Sequence, residues 1–584
     1  MTSRRTMAAV RPALCGVTVA ALVAVSGCGG GDSKPKAGGG TTAGAAAPTS
    51  SPTVTPQSVA QSFLDAWASG DYAKAASFTD APDKAAAGLK NEMAALAPQK
   101  VTLTLGQQAD PSSSAATAPA SSSGTTPATA GSPASSPSSA APAVARYSFA
   151  VSDDFGNNLQ WQYQSALNLV QGSSGAPVVH WSYGVIHPSL TSVALLKAAP
   201  PKVTVTDSTG AKIDTKAHPS LLNAVNSLST KLPPGQTPQS LTVEFTDANT
   251  GAQIQGSQSF QIGAATTAPI TVKTTLKPAV QSAMEAALKD YPNSAMVAIQ
   301  PSTGNILGMA SNAPGNLSMA YKATRAPGST FKVLTTALAL QKGLKIDDPV
   351  NCSANATVEG QVINNDKDLA AGIQNASLKQ AFLQSCNTAF VHLALDGKLG
   401  SDYTALSTEA KDYFGLNQKW DLGMGAATYG AVGDQQVPPA DGKGLFARDA
   451  FGQGNLSMSP LVMASVAATV AAHQFHQPVL VPGVTTVSAT PLPDAVAQQL
   501  TTLMQGVATS GTAAGVFPGL TGIAAKTGSA ESNDTAKTGK TDSWMVAFDP
   551  NHDIAFAALV LNGGFGRDAA GPAINKVLHS PGVR

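Results

Sequence analysis

Two side chains pose the first chemical question. Ser329 and Lys332 stand three apart in Ser329-Thr330-Phe331-Lys332. On a helix that spacing puts both on one face, within hydrogen-bond reach. Phe331, Val333, Leu334, Ala337, Leu338 and Leu340 make the segment apolar on nearly every face, which predicts a buried helix. Burial and the positive end of a helix dipole both favour a neutral Lys332 amine. A neutral amine beside a hydroxyl can accept its proton, which turns a weak serine nucleophile into a strong one. The alternative is a lysine at a helix start that snorkels to water. Spacing alone does not choose, because Ser33-Lys34-Pro35-Lys36 shares it. Context separates the two copies. Pro327-Gly328 is a turn feeding a helix N-terminus, and Gly343 ends that helix.

Two further clusters follow in order. Ser385-Cys386-Asn387 lies between Leu378–Gln384, a helix with Ser377 as its expected cap, and the apolar run Ala389–Leu395. Polar groups between buried helices need partners. In a catalytic reading Ser385 relays a proton to a leaving group, and Asn387 holds Lys332 and a substrate amide. The other reading is a helix-capping turn. Lys526-Thr527-Gly528-Ser529 continues the apolar strand Ile523-Ala524-Ala525. A second copy, Lys537-Thr538-Gly539, sits among Asn533, Asp534, Lys540 and Asp542 and reads as an exposed loop. On a strand, Lys526 and Thr527 suit a substrate carboxylate. Gly528 lets an extended peptide approach as an added strand. The amides of Ser329 and Ser529 suit an oxyanion.

Ser-x-x-Lys, Ser-x-Asn and Lys-Thr-Gly in this order resemble the signature of penicillin-binding proteins and class A β-lactamases. From 270 to 584 the chain is similar to the transpeptidase domain of class B penicillin-binding proteins. Ala298-Ile299-Gln300-Pro301-Ser302-Thr303-Gly304-Asn305-Ile306-Leu307 precedes the nucleophile as in that family. Phe451-Gly452-Gln453-Gly454-Asn455-Leu456 looks like its Gly-Gln-Gly segment, and Gly511-Thr512-Ala513 and Trp544 flank the Lys-Thr-Gly strand. Ser529 replaces the commoner Thr but supplies the same amide. The stretch from Met309 to Pro327 is short for the family, which bears on the entrance rather than the chemistry. The resemblance implies a serine D,D-transpeptidase without cofactor or metal. It would attack stem peptides ending in D-Ala-D-Ala and be acylated by β-lactam antibiotics at Ser329. A D,D-carboxypeptidase, a β-lactamase or a non-catalytic β-lactam sensor are the alternatives. No segment before Ile270 resembles a glycosyltransferase, so glycan polymerisation would fall to a partner.

These motifs require a multidomain α+β chain to position them. Strand signals at 296–309, a largely helical middle and strands at 522–526, 544–548 and 554–561 give the order expected of the serine penicilloyl-transferase fold. In it an antiparallel sheet from both ends of the domain carries a helical subdomain. Upstream, 58–97 reads as helical with a break at Gly70-Asp71, and strands are expected at 101–105, 146–151, 159–169 and 178–185. Asp65-Ala66-Trp67-Ala68-Ser69-Gly70-Asp71-Tyr72 resembles the opening of nuclear-transport-factor-like folds. His180-Trp181-Ser182-Tyr183-Gly184-Val185 looks like the end of that domain in penicillin-binding proteins of the methicillin-resistance type. The expected boundaries are 56–190 for this domain, with a disordered Ser/Ala/Pro-rich insert at 109–143, and 195–265 for a linker or dimerisation-like domain.

The first residues read as an address. Arg4, Arg5 and Arg11 precede the short apolar run Val17–Val25. Val25-Ser26-Gly27-Cys28 resembles a bacterial lipobox. It implies a signal peptide over 1–27, a lipid on Cys28, a flexible tether over 28–55 and working parts on the outer face of the cytoplasmic membrane. A plain secretory signal is the alternative. Lys plus Arg is 36 against 35 for Asp plus Glu, a net charge of +1 that argues against nucleic acid as partner. Cys352 and Cys386 remain for the folded body. They form either a disulfide or two buried thiols.

Overall fold

The structure, a computed structural model, describes residues 54–109, 143–199, 201, 203–264, 270–315, 318–424, 436–531 and 539–584. The leader, Cys28, the tether with Ser33–Lys36, nearly all of the 109–143 insert, and Lys537 and Thr538 lie outside the described residues.

The helical start comprises three helices: Pro56–Ala68, Tyr72–Ser77 and Pro82–Leu96. Thr55 and Ser58 cap the first reciprocally. Val59, Phe63, Leu64 and Trp67 recur on its buried face, and Trp67 meets Phe149 edge-on at 6.0 Å. The strands Lys100–Ala109, Ala145–Asp154, Gln160–Gln171 and Pro177–Val179 pair in that order, all antiparallel. The fourth strand is shorter than expected. Asp80 accepts the Trp181 N–H at 2.8 Å and meets His180 Nδ1 at 2.6 Å. These bonds carry the chain off the sheet, and Tyr183–Val185 turns as a 3-10 helix.

The stretch 195–265 divides its packing between two cores. Ala194–Ala199, Ser240–Asp247 and Ser259–Gly263 form a three-stranded sheet, whose Leu196, Val243, Phe245 and Ile262 complete the N-terminal core. Val203–Thr206 instead pairs in parallel with Ile270–Lys273. Val203, Val205, Leu221 and Leu228 join the C-terminal core.

The C-terminal sheet has five antiparallel strands in the order Ile306–Asn312, Ser294–Ile299, Ile554–Val560, Asp542–Asp549, Ala524–Ala530. Early and late segments are therefore neighbours, as the sequence order implied. Ser294–Ile299 and Ile554–Val560 are buried at every residue, so both faces are covered. Helices Pro278–Leu288, Ala570–Leu578 and Pro460–Ala472 supply that cover. The last of these is buried from Pro460 to Val470 and capped by Ser459. No described helix is long and apolar enough to cross a membrane. The helical middle also holds a hairpin, Asn355–Val358 with Gln361–Asn364. Its turn, Glu359-Gly360, has positive φ at both residues, the geometry that matches strand twist.

Candidate active site

The nucleophile segment begins with the 3-10 turn Gly328–Phe331 and continues as the helix Lys332–Gln341, buried from Lys332 to Leu340. Gly328 has φ +54°, and a Cβ there would lie 2.5 Å from the Ser529 carbonyl oxygen. Only glycine lets the serine turn lie this close to the Lys526 strand. Ser329 is 8% exposed and Lys332 fully buried, so the hydroxyl reaches the cleft and the amine does not.

The second motif is positioned by a helix end. The helix Leu378–Leu383 carries the expected Ser377 cap, with Gln380 reciprocating. At its C-terminus the Cys386 N–H bonds the Ala381 carbonyl at 2.8 Å and the Ser385 N–H bonds Phe382 at 3.1 Å. This is a Schellman turn, whose left-handed residue is usually glycine. Here it is Ser385, at φ +56°. The turn aims its hydroxyl and carbonyl at Lys332. Cys386 is bonded to Cys352 with Cα atoms 6.1 Å apart, which fixes the turn to the segment before the hairpin.

Four oxygens surround the Lys332 amine. Nζ lies 2.9 Å from Ser329 Oγ, 2.8 Å from the Ser385 carbonyl, 2.7 Å from Asn387 Oδ1 and 3.3 Å from Ser385 Oγ. The Ser385 carbonyl and Asn387 Oδ1 can only accept. The Asn387 amide donates to the Asn364 carbonyl at 3.2 Å, which leaves Oδ1 facing the amine. Two amine N–H groups are therefore committed to those acceptors, and a neutral Lys332 turns its lone pair to the Ser329 hydroxyl. Electrostatics favours that neutral form. Burial first, then the charge of Lys526, push Lys332 well below its ordinary value, against an opposing pull from Asp366.

Lys526 is also fully buried, on the edge strand Ala524–Ala530. Its amine donates to Ser385 Oγ at 2.9 Å and to the Thr527 carbonyl at 3.1 Å. Burial lowers it to about 7, again opposed by Asp366. The Ser385 hydroxyl thus lies between two lysine amines, a path along which one proton can move. Thr527 Oγ1 meets Thr512 Oγ1 at 2.5 Å, so two hydroxyls flank the position a carboxylate would take.

Ser329, Ser385, Thr527, Gly528 and Ser529 line one cleft of about 120 Å³, joined by Asp366, Thr512, Phe565 and Arg567. All three motifs therefore converge on one cleft. Asp366 and Arg567 were not anticipated. The hairpin delivers Asp366 and Asp368 to the cleft, where Asp368 pairs with Arg567 across the mouth. The alternation around Glu359-Gly360 was the sequence signal for that hairpin. No group of three or more acidic, His or Cys side chains that could hold a metal occurs among the described residues.

Residues 294–579 match the family model for the penicillin binding protein transpeptidase domain. The chain is 30% identical over 352 residues to the peptidoglycan D,D-transpeptidase PbpA of Mycobacterium tuberculosis (strain ATCC 25618 / H37Rv), covering 52% of this chain and 70% of that protein. It is 31% identical over 364 residues to PbpA of Mycolicibacterium smegmatis, again covering 52% and 70%. Among solved structures it is similar to penicillin-binding protein A from M. tuberculosis in its penicillin G acyl-enzyme complex. The identity there is 28% and the TM-score 0.45, covering 53% of this chain and 80% of that one.

Proposed function

The chain belongs to the penicillin-binding protein transpeptidase family, and from that premise we propose that it is a peptidoglycan D,D-transpeptidase working through an acyl-enzyme on Ser329. The observation that carries this reading is the Lys332 amine, held 2.9 Å from Ser329 Oγ with its other contacts to acceptors. Ser329 Oγ attacks the penultimate D-Ala carbonyl and gives its proton to Lys332. The N–H groups of Ser329 and Ser529 receive the developing oxyanion. Lys526, Thr527 and Thr512 hold the terminal carboxylate, whose charge favours protonated Lys526. The carbon–nitrogen bond breaks, and terminal D-Ala leaves as its amine takes a proton through the Ser385 hydroxyl. The amine of a second stem peptide then attacks the ester, returns a proton to the same chain and frees Ser329. A β-lactam enters the first half of this sequence, but its leaving nitrogen stays tethered to the acyl group.

Incubation with fluorescent penicillin tests the reading. Stable label on the wild type and none on Ser329→Ala is the expected result. An unlabelled wild type sinks it, and rapid release of label points to a β-lactamase.

Two further parts of the reading rest on sequence. Cys28 in Val25-Ser26-Gly27-Cys28 after an Arg-led apolar run supports a lipid anchor on the outer face of the cytoplasmic membrane. Metabolic labelling with a palmitate analogue should mark the wild type and spare Cys28→Ala. Three helices before an antiparallel sheet support a nuclear-transport-factor-like spacer at 56–190.

A further inference from the structure

The strand Ala524–Ala530 lies at the edge of its sheet, with Asp542–Asp549 as its neighbour. In an antiparallel strand the N–H and C=O of one residue point to the same side. The Ser529 carbonyl accepts a hydrogen bond from the Gln453 side-chain amide at 3.1 Å, so it points away from the sheet. The Ser529 N–H therefore points the same way, toward the cleft that Ser329 enters. An idealised Cβ on Gly328 would approach both Ser529 O, at 2.5 Å, and Ser529 N, at 3.1 Å. This geometry has a cost. A bare carbonyl dipole would stand beside the place where negative charge develops, and would repel it.

We propose that Gln453 is a positioning residue for the oxyanion site: its amide caps the Ser529 carbonyl and fixes the strand end so that the Ser529 N–H faces the Ser329 turn. The loop that carries Gln453 is built for this. Gly452 has φ +95°, and a Cβ there would lie 1.9 Å from the Gly328 carbonyl oxygen. Three backbones, at 452, 328 and 529, are therefore stacked with no room for a side chain. Asp449 holds the loop from behind. It is 2% exposed, its carboxylate accepts the Asn455 N–H at 2.8 Å, and its own carbonyl accepts the Gly452 N–H at 2.9 Å. The Gln453 N–H is tied to the Arg448 carbonyl at 3.1 Å. Main chain and carboxylate fix the loop, so the Gln453 side-chain amide is held against Ser529.

The inference rests on the Ser329 acyl-enzyme reading and is tested separately from it. The rate of penicillin labelling is followed against penicillin concentration, which separates the non-covalent binding constant from the first-order acylation constant. Melting temperature is recorded alongside. Gln453→Ala should slow acylation by roughly 10- to 100-fold, because an oxyanion donor is misplaced rather than deleted. Its binding constant should stay within about twofold, since ground-state contacts are kept. Gln453→Glu, near-isosteric but without a donor when ionised, should fall at least as far. Gln453→Asn, which keeps the amide on a shorter stem, should recover part of the loss. Acylation by Gln453→Ala at the wild-type rate overturns the inference. So does a lower melting temperature with a smaller labelled fraction that reacts at the wild-type rate. A wild type that fails to label counts against the acyl-enzyme reading instead.

Discussion

Lys332 and Lys526 are two buried amines joined through one hydroxyl, so the charge on one bears on the proton of the other. Burial brings Lys526 down to about 7, and its charge acts on the Lys332 amine. That charge is one reason Lys332 is depressed. In the proposed acylation Lys332 is neutral, so the rate falls as pH drops through the Lys332 value. Removing the Lys526 charge raises that value. Lys526→Met should therefore shift the acid limb of residual penicillin acylation upward. A pH–rate profile checks this, and an unmoved limb contradicts it. That these residues meet was legible in the sequence because serine, lysine and asparagine occur in three ordered motifs with apolar surroundings. Asp366 and Gln453 were not assigned roles. Each acts only because a hairpin or a loop is brought to the cleft by packing far from its own position.

At the scale of elements, the second motif is a helix terminus put to chemical use. Ser385-Cys386-Asn387 forms a helix-ending turn and also faces Lys332, so the capping and catalytic readings are compatible. A left-handed serine stores strain that glycine would not. Ser385→Gly should keep or raise the melting temperature and Ser385→Ala should lower it, separated by about 1 kcal/mol. Both should lose acylation, since both lose the hydroxyl between the lysines. Thermal melts beside labelling rates check the pair; equal stabilities would argue against a strained turn. Element types were readable where period was clear, as in the helix expected at 277–289 and found at Pro278–Leu288. The shortened fourth strand was not, because Asp80, a hundred residues from its partner His180, decides where it ends.

At the scale of the whole molecule, the N-terminal core carries a feature unrelated to catalysis. Glu92 and Asp153 are both fully buried. Glu92 accepts the Leu196 N–H at 2.7 Å, and both Asp153 oxygens lack partners. Burial raises Glu92 to about 8 and Asp153 to about 7. Unfolded, both titrate near 4, so folding takes up protons between these limits. Their contribution is favourable at low pH and is lost as pH rises through the folded values, by up to about 1.4 kcal/mol per pH unit per group. Glu92→Gln removes one of them. Its melting temperature relative to wild type should rise between pH 5 and pH 8, and a difference independent of pH would refute the linkage.

The strand order of the C-terminal sheet also has a consequence in time. Met296 pairs with Ala558, about 260 residues further along the chain. At a synthesis rate of roughly 5–20 residues per second, its partner arrives some 10–50 s later. Until then the apolar strand Ser294–Ile299 has neither its central neighbour nor the cover of the helix Ala570–Leu578. Until the strand Ile554–Val560 has been made, Asp542–Asp549 and the lysine strand beyond it have nothing to join them to Ser294–Ile299, so the sheet that sets the nucleophile against Lys526 closes late.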